Sequence, residues 1–142
     1  MYSIVPYVIH EHDADKAGKH FDLRLKIPNK NLLESWALPK AKFPSKPGEK
    51  VLAIQGSPHG RYWLYMDNLD IPEGEYGAGH IKIVQKGLCS IEGWNNDKYI
   101  TFNIKGQIAN GRFSLIKIKD KENRQENLWI LVKNKDQEIK NK

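Results

Sequence analysis

The chain has 142 residues, 23 Lys+Arg against 17 Asp+Glu for a formal charge of +6, and one cysteine, Cys89. That length fits one domain over 1–142 with a sizeable core, and the moderate basic excess favours an anionic partner without naming it. A lone cysteine excludes an intramolecular disulfide, MYSIVPYVIHEHD lacks the pattern of a secretory leader, and no apolar run reaches the roughly 20 residues of a membrane span, so a cytoplasmic, membrane-free protein is expected.

Short alternating segments separated by Gly, Pro, Asn and Asp clusters predict strands at Val5–His12, His20–Ile27, Leu32–Leu38, Val51–Gln55 and Tyr62–Met66. Further strands are predicted at His80–Gln85, Leu88–Ile91, Lys98–Lys105, Arg112–Lys119 and Leu128–Lys133. In the clearest, Ile100, Phe102 and Ile104 share one face while Thr101, Asn103 and Lys105 share the other. Pro28–Asn31 and Ala109–Gly111 read as hairpin turns. Ala14–Lys19 and Pro39–Lys50 read as loops holding short helical turns, because no long segment has helical periodicity. The tail from Asp136 to Lys142 is polar and expected to fray. The fold class is therefore mainly β, a compact antiparallel barrel.

The stretch His20-Phe21-Asp22-Leu23-Arg24-Leu25 carries the most chemistry. In a strand, His20, Asp22 and Arg24 point one way while Phe21, Leu23 and Leu25 point into a core. An imidazole and a carboxylate together suit a divalent cation, and a guanidinium beside them suits two oxygens of one phosphate. His12 completes a two-His, one-carboxylate set, with His10 on the same face as a fourth ligand or an outer partner. Taken singly, each histidine reads as an ordinary surface or hydrogen-bonded residue. Three of the five histidines fall within eleven positions beside an aspartate, and this clustering favours metal. For Arg24 the bland alternative is a surface ion pair, which contributes little.

His59 lies in the turn-like Gly56-Ser57-Pro58-His59-Gly60, where a loop can present a group that stabilises phosphate charge or protonates a departing oxygen. A solvated loop histidine fits the same pattern. Lys40 follows Pro39 at a strand end, either as a point charge facing the site or as one of many exposed lysines. The glycines of Pro72–Gly79 lack the order of a dinucleotide fingerprint, and Cys89 reads as core.

These residues resemble the 3′-phosphoesterase domain of bacterial DNA ligase D, which also occurs as a free-standing protein. The likeness rests on His10-Glu11-His12-Asp13-Ala14, His20–Leu25, Ser35-Trp36-Ala37-Leu38-Pro39-Lys40, Leu52–Gln55, Ile71–Gly79 and Leu128–Lys133, in order along nearly the whole chain. The resemblance implies a β-barrel, manganese dependence and removal of blocking groups from nucleic-acid 3′ ends, primer-template or single strand, in end repair. It implies His12, His20 and Asp22 as metal ligands, Arg24 as phosphate clamp, His59 as second phosphate contact and Lys40 as a supporting basic residue. It also implies a monomer acting with a DNA ligase or end-binding protein. The family's two metal-binding histidines usually stand closer together than His12 and His20, and acidic residues commonly precede the loop histidine where this chain has Gly56-Ser57-Pro58. Where a tyrosine commonly follows that histidine, this chain has Trp63, so either Tyr62 takes the place through a shifted loop or the contact is missing. These departures bear on excision of a terminal ribonucleoside more than on removal of a bare phosphate.

Read together, the residues and the resemblance point to metal-assisted hydrolysis of a 3′-phosphate by direct attack of water. Two other classes share parts of this pattern: a non-haem iron oxygenase, and a non-catalytic module that holds nucleic acid through a basic face.

Overall fold

The computed structural model describes residues 3–95, 97–119 and 127–135. Strand β1 (Ser3–Ala14) buries Val5, Tyr7 and Ile9 on one face and carries Val8, His10 and His12 on the other. Strand β2 (Gly18–Leu25) repeats this alternation, and antiparallel pairing sets Tyr7 opposite Leu25 and Ile9 opposite Leu23, so the two apolar faces coincide. The expected alternation is present, with Phe21, Leu23 and Leu25 in the core and His20, Asp22 and Arg24 on the other face, although the strand runs Gly18–Leu25 where His20–Ile27 was expected.

The remaining strands are β3 (Glu34–Leu38), β4 (Lys50–Gln55), β5 (Leu69–Ile71), β6 (Gly79–Asn95), β7 (Tyr99–Ile104), β8 (Gly111–Lys117) and β9 (Leu128–Lys133). Eight of them close into an antiparallel barrel in the order β1-β2-β3-β4-β9-β8-β7-β6, with β6 returning to β1 and β5 added along β6. Closure removes the open edges that an eight-strand sheet would otherwise expose. The interior is filled by side chains, notably Trp36 edge-on to Trp129 at 5.5 Å and Phe102 stacked on Phe113 at 5.7 Å. The barrel is a packed core, so any site must lie outside it.

Several boundaries differ from the expectation. Tyr62–Met66 is not a strand: Arg61–Leu64 forms a 3₁₀ turn. Neighbouring residues of a strand face opposite ways, yet Trp63 and Leu64 both pack on Val8 and Leu33 outside the barrel, and a tight turn allows that. The two strands expected at His80–Gln85 and Leu88–Ile91 are one, because Lys86 and Gly87 continue the pairing with Val8 and Tyr7. Strand β5 spans three residues and gave no alternation to read. The turn at Pro28–Asn31 is present, with Asn29 in the left-handed region at φ 69°. Asp136–Lys142 lies outside the described residues. Among those described, no helix is long and apolar enough to cross a membrane.

Candidate metal and phosphate site

The outward face of β1, β2 and β3 carries the polar cluster. Register places His12 opposite His20, His10 opposite Asp22, and Arg24 between Val8 and Ser35. The eight-residue separation of the two histidines is what the hairpin needs: Ala14 pairs Gly18 around a turn of Asp15, Lys16 and Ala17. Gly18 turns the chain at φ 78°, a conformation that favours glycine. A β-bulge in β6 opposite Ile9 and His10 adjoins the cluster, and such bulges commonly re-aim side chains beside sites.

The connection between β4 and β5 lies over this face. His59 and Leu33 exchange backbone hydrogen bonds at 2.8 and 2.9 Å, which pins the loop to the start of β3. Val8, Leu33, Leu64, Trp63 and Ile83 then form a small second core between the loop and the barrel wall. The site sits beside this core, and the turn near Gly77 borders it on the other side.

Asp22 is the centre of the cluster. Its Oδ2 lies 3.3 Å from His12 Nδ1 and 3.3 Å from Arg24 Nη2, and its Oδ1 lies 3.2 Å from His20 Nε2. Burial alone would raise its pKa; contacts with His12, His20 and Arg24 overcome that and hold the carboxyl well below the usual carboxylate range. The His20 imidazole is pushed up mainly by its contact with Asp22, against the effect of burial.

The other ring nitrogens settle which atoms are available to a cation. A carbonyl oxygen only accepts, so His12 Nε2 donates to Gly77 O at 2.7 Å and His20 Nδ1 donates to Gly18 O at 3.3 Å. In the neutral rings this leaves lone pairs on His12 Nδ1 and His20 Nε2, both aimed at carboxylate oxygens. A lone pair facing an anion is unfavourable unless a proton or a cation lies between them. Metal-ligating histidines typically donate their second N–H to a carbonyl in this way. One ligand atom from each of His12, His20 and Asp22 lies within 4.8 Å of the others, so the donor set fits a divalent cation.

His10 is fully buried and has both nitrogens engaged: Nε2 donates to Met66 O at 2.7 Å, and Nδ1 accepts from Arg24 Nε at 3.3 Å. Burial lowers its pKa, consistent with a neutral ring that orients Arg24 and is not a fourth ligand. Arg24 also donates from Nη1 to Ser35 Oγ at 3.1 Å and lies with Cζ 4.7 Å from the Trp63 ring centroid, a cation–π contact. Its nearly complete burial beside one carboxylate makes it a fixed positive charge next to the donor set.

His59 Nδ1 lies 2.9 Å from Ser57 O, to which it donates, 3.2 Å from Ser35 Oγ and 3.5 Å from Arg24 Nη1. Burial first, and the Arg24 charge second, lower its pKa. Trp63 meets His59 edge-to-face at 4.7 Å and so forms a wall against both His59 and Arg24. Tyr62 is exposed, with its ring 6.3 Å from that of Trp63, so Trp63 is the aromatic residue facing this pair. Lys40 lies exposed in the turn after β3, and among the described residues it makes no ion pair or side-chain hydrogen bond. The sequence reading did not single out Ser35, although its alternation with Trp36 and its pairing with Arg24 could have revealed it.

Residues 10–117 match the DNA Ligase D 3′-phosphoesterase domain family. The chain is 33% identical over 114 residues to the multifunctional non-homologous end joining DNA repair protein LigD of Mycobacterium tuberculosis, covering 78% of this chain and 14% of that protein. It is 32% identical over 141 residues to the multifunctional non-homologous end joining protein LigD of Mycolicibacterium smegmatis, covering 92% of this chain and 17% of that protein. The chain therefore spans about a seventh to a sixth of the length of these relatives.

Proposed function

Since this chain belongs to the DNA ligase D 3′-phosphoesterase domain family, we propose that residues 1–142 form one metal-dependent domain that removes phosphate from 3′ ends of nucleic acid during end joining. The observation that carries this reading is the contiguity of two unlike halves: the His12, His20 and Asp22 donor set shares Asp22 with the buried guanidinium of Arg24. A buried cation beside the donor set favours a phosphate-bearing substrate over an oxygenase or a silent binding module.

In this reading His12 Nδ1, His20 Nε2 and Asp22 would hold a divalent cation, manganese by the family resemblance, which when bound supplies Lewis-acid polarisation of a phosphate oxygen. Arg24 offers N–H donors fixed by His10, Ser35 and Asp22, so a phosphate oxygen meets a charge that needs no reorganisation. His59 arrives neutral; an incoming phosphate anion favours its protonation and lets Nε2 donate to the same group. Ser35 links Arg24 to His59, and its burial suits it to positioning both rather than to attack. No exposed nucleophilic side chain joins the cluster among the described residues, which leaves water as the attacking group. Lys40 would act as a diffuse positive charge for the strand.

The test uses 3′-phosphorylated oligonucleotides, with deoxy- or ribonucleotide ends, incubated with manganese. The expected result is release of inorganic phosphate, abolished by chelator and restored by excess manganese. Phosphate release that survives chelation, or none with any end, overturns the reading. A shortened ribonucleotide-ended product would show that nucleoside excision accompanies phosphate release.

A further inference from the structure

Two large aromatic rings face solvent on the turn that follows His59. Tyr62 is 64% exposed and Tyr65 75%. In a 3₁₀ turn residues three apart eclipse, so these two share one face while Trp63 between them turns inward. The Tyr65 N–H donates to the Tyr62 carbonyl at 3.0 Å, which fixes that spacing.

The Tyr62 ring is seated. A Cβ added at Gly60 would lie 2.5 Å from Tyr62 Cε1 and 2.9 Å from Cδ1, so the ring covers the Gly60 backbone one residue after His59. Its other neighbour is Trp63, which contacts His59 and Arg24. At the far end Lys86 Nζ lies 4.5 Å from the Tyr65 ring centroid and donates to Leu64 O at 2.8 Å. Tyr62 thus neighbours Trp63, the ring that contacts Arg24 and His59, and Tyr65 neighbours a lysine. A row of rings between cationic groups matches the alternation of base and phosphate along a single strand, and does not match a purely apolar partner.

We propose that Tyr62 and Tyr65 form a stacking ledge for the unpaired terminal bases of a nucleic-acid 3′ end, holding the terminal phosphate toward Arg24 and His59. This deepens the phosphoesterase reading and rests on it for the role of Arg24 and His59. Every base has a π face, so the ledge gives affinity without sequence preference. It also selects ends whose last nucleotides are single-stranded or frayed.

The test is a 3′-phosphorylated single strand with 2-aminopurine as its last base, whose fluorescence is quenched by stacking and needs no turnover. Wild type is expected to quench it on binding. Tyr62→Ala is expected to lose the quench and bind about tenfold more weakly, within the range of one base–aromatic stack. Tyr62→Phe should keep both properties. In phosphate release, Tyr62→Ala should raise KM about tenfold on a base-bearing end and leave KM unchanged on an abasic one. Quenching that persists in Tyr62→Ala, or a KM rise equal on both ends, overturns the ledge. Should neither end release phosphate, the phosphoesterase reading fails, and the quenching result still decides the ledge.

Discussion

Asp22→Asn keeps the shape of the side chain and removes its charge, so it isolates what that charge does. In the metal-free protein Arg24 then remains buried with its carboxylate partner gone. Breaking one side of a buried pair typically costs about 3–5 kcal/mol. For a chain of this size each kcal/mol moves the midpoint by about 3 °C, so a fall of about 10 °C is expected. The second half of the experiment adds manganese. At a concentration about a hundred times its Kd, manganese should stabilise wild type by about 2.7 kcal/mol. Loss of an anionic ligand should weaken affinity by at least about a hundredfold, since disturbing even an outer partner costs 10–100-fold. The same manganese concentration then sits near or below the variant's Kd and gives no more than about 0.4 kcal/mol. Thermal melts followed by circular dichroism, with and without manganese, read both quantities. An unchanged metal-free midpoint would refute the buried pairing, and an undiminished manganese shift would refute the ligand role.

Arg24→Lys retains the charge but loses the planar fork held by His10, Ser35 and Asp22; phosphate release should fall by about 10²–10³ in kcat while manganese affinity, read by calorimetry, changes little. His59 has a lowered pKa in the fold, so between neutral pH and the acid range the unfolded chain binds more protons and stability falls on acidification. His59→Gln should therefore lose less stability than wild type between pH 7.5 and 5.5 in denaturant titrations, and an equal loss would contradict its burial as a neutral ring. In metal-free protein His20 has the opposite sign: its raised pKa contributes stability that is present below the unfolded value and lost as pH rises through the folded one, so His20→Asn should steepen the acid loss. Chelation of wild type should leave the far-ultraviolet circular dichroism unchanged, because the barrel interior contains none of the ligands.

Much of this was legible from alternation. Phe21, Leu23 and Leu25 buried opposite His20, Asp22 and Arg24 is a period-two pattern, and the same pattern on β1 brought His10 and His12 to the matching face. Distant partners were not legible. The carbonyl groups that orient His10 and His12 belong to Met66 and Gly77, which no local pattern links to β1. Arg61–Leu64 is rich in residues that favour strands, yet it folds as a tight turn because the outer patch of Val8 and Leu33 takes Trp63 and Leu64 together. That tertiary demand also decided that Trp63, not Tyr62, faces Arg24.

On β2, Asp22 and Arg24 each have a barrel-filling neighbour on both sides, and His20 has Phe21 after it. Deleting or inserting one residue within this strand would turn the imidazole, carboxylate and guanidinium into the oily interior and push Phe21, Leu23 and Leu25 into water. Length can vary at the Asp15–Ala17 turn, which lies outside the paired residues of β1 and β2. The strand is therefore a fixed-frame element: a substitution alters one position, whereas a change in count moves every side chain beyond it to the other face.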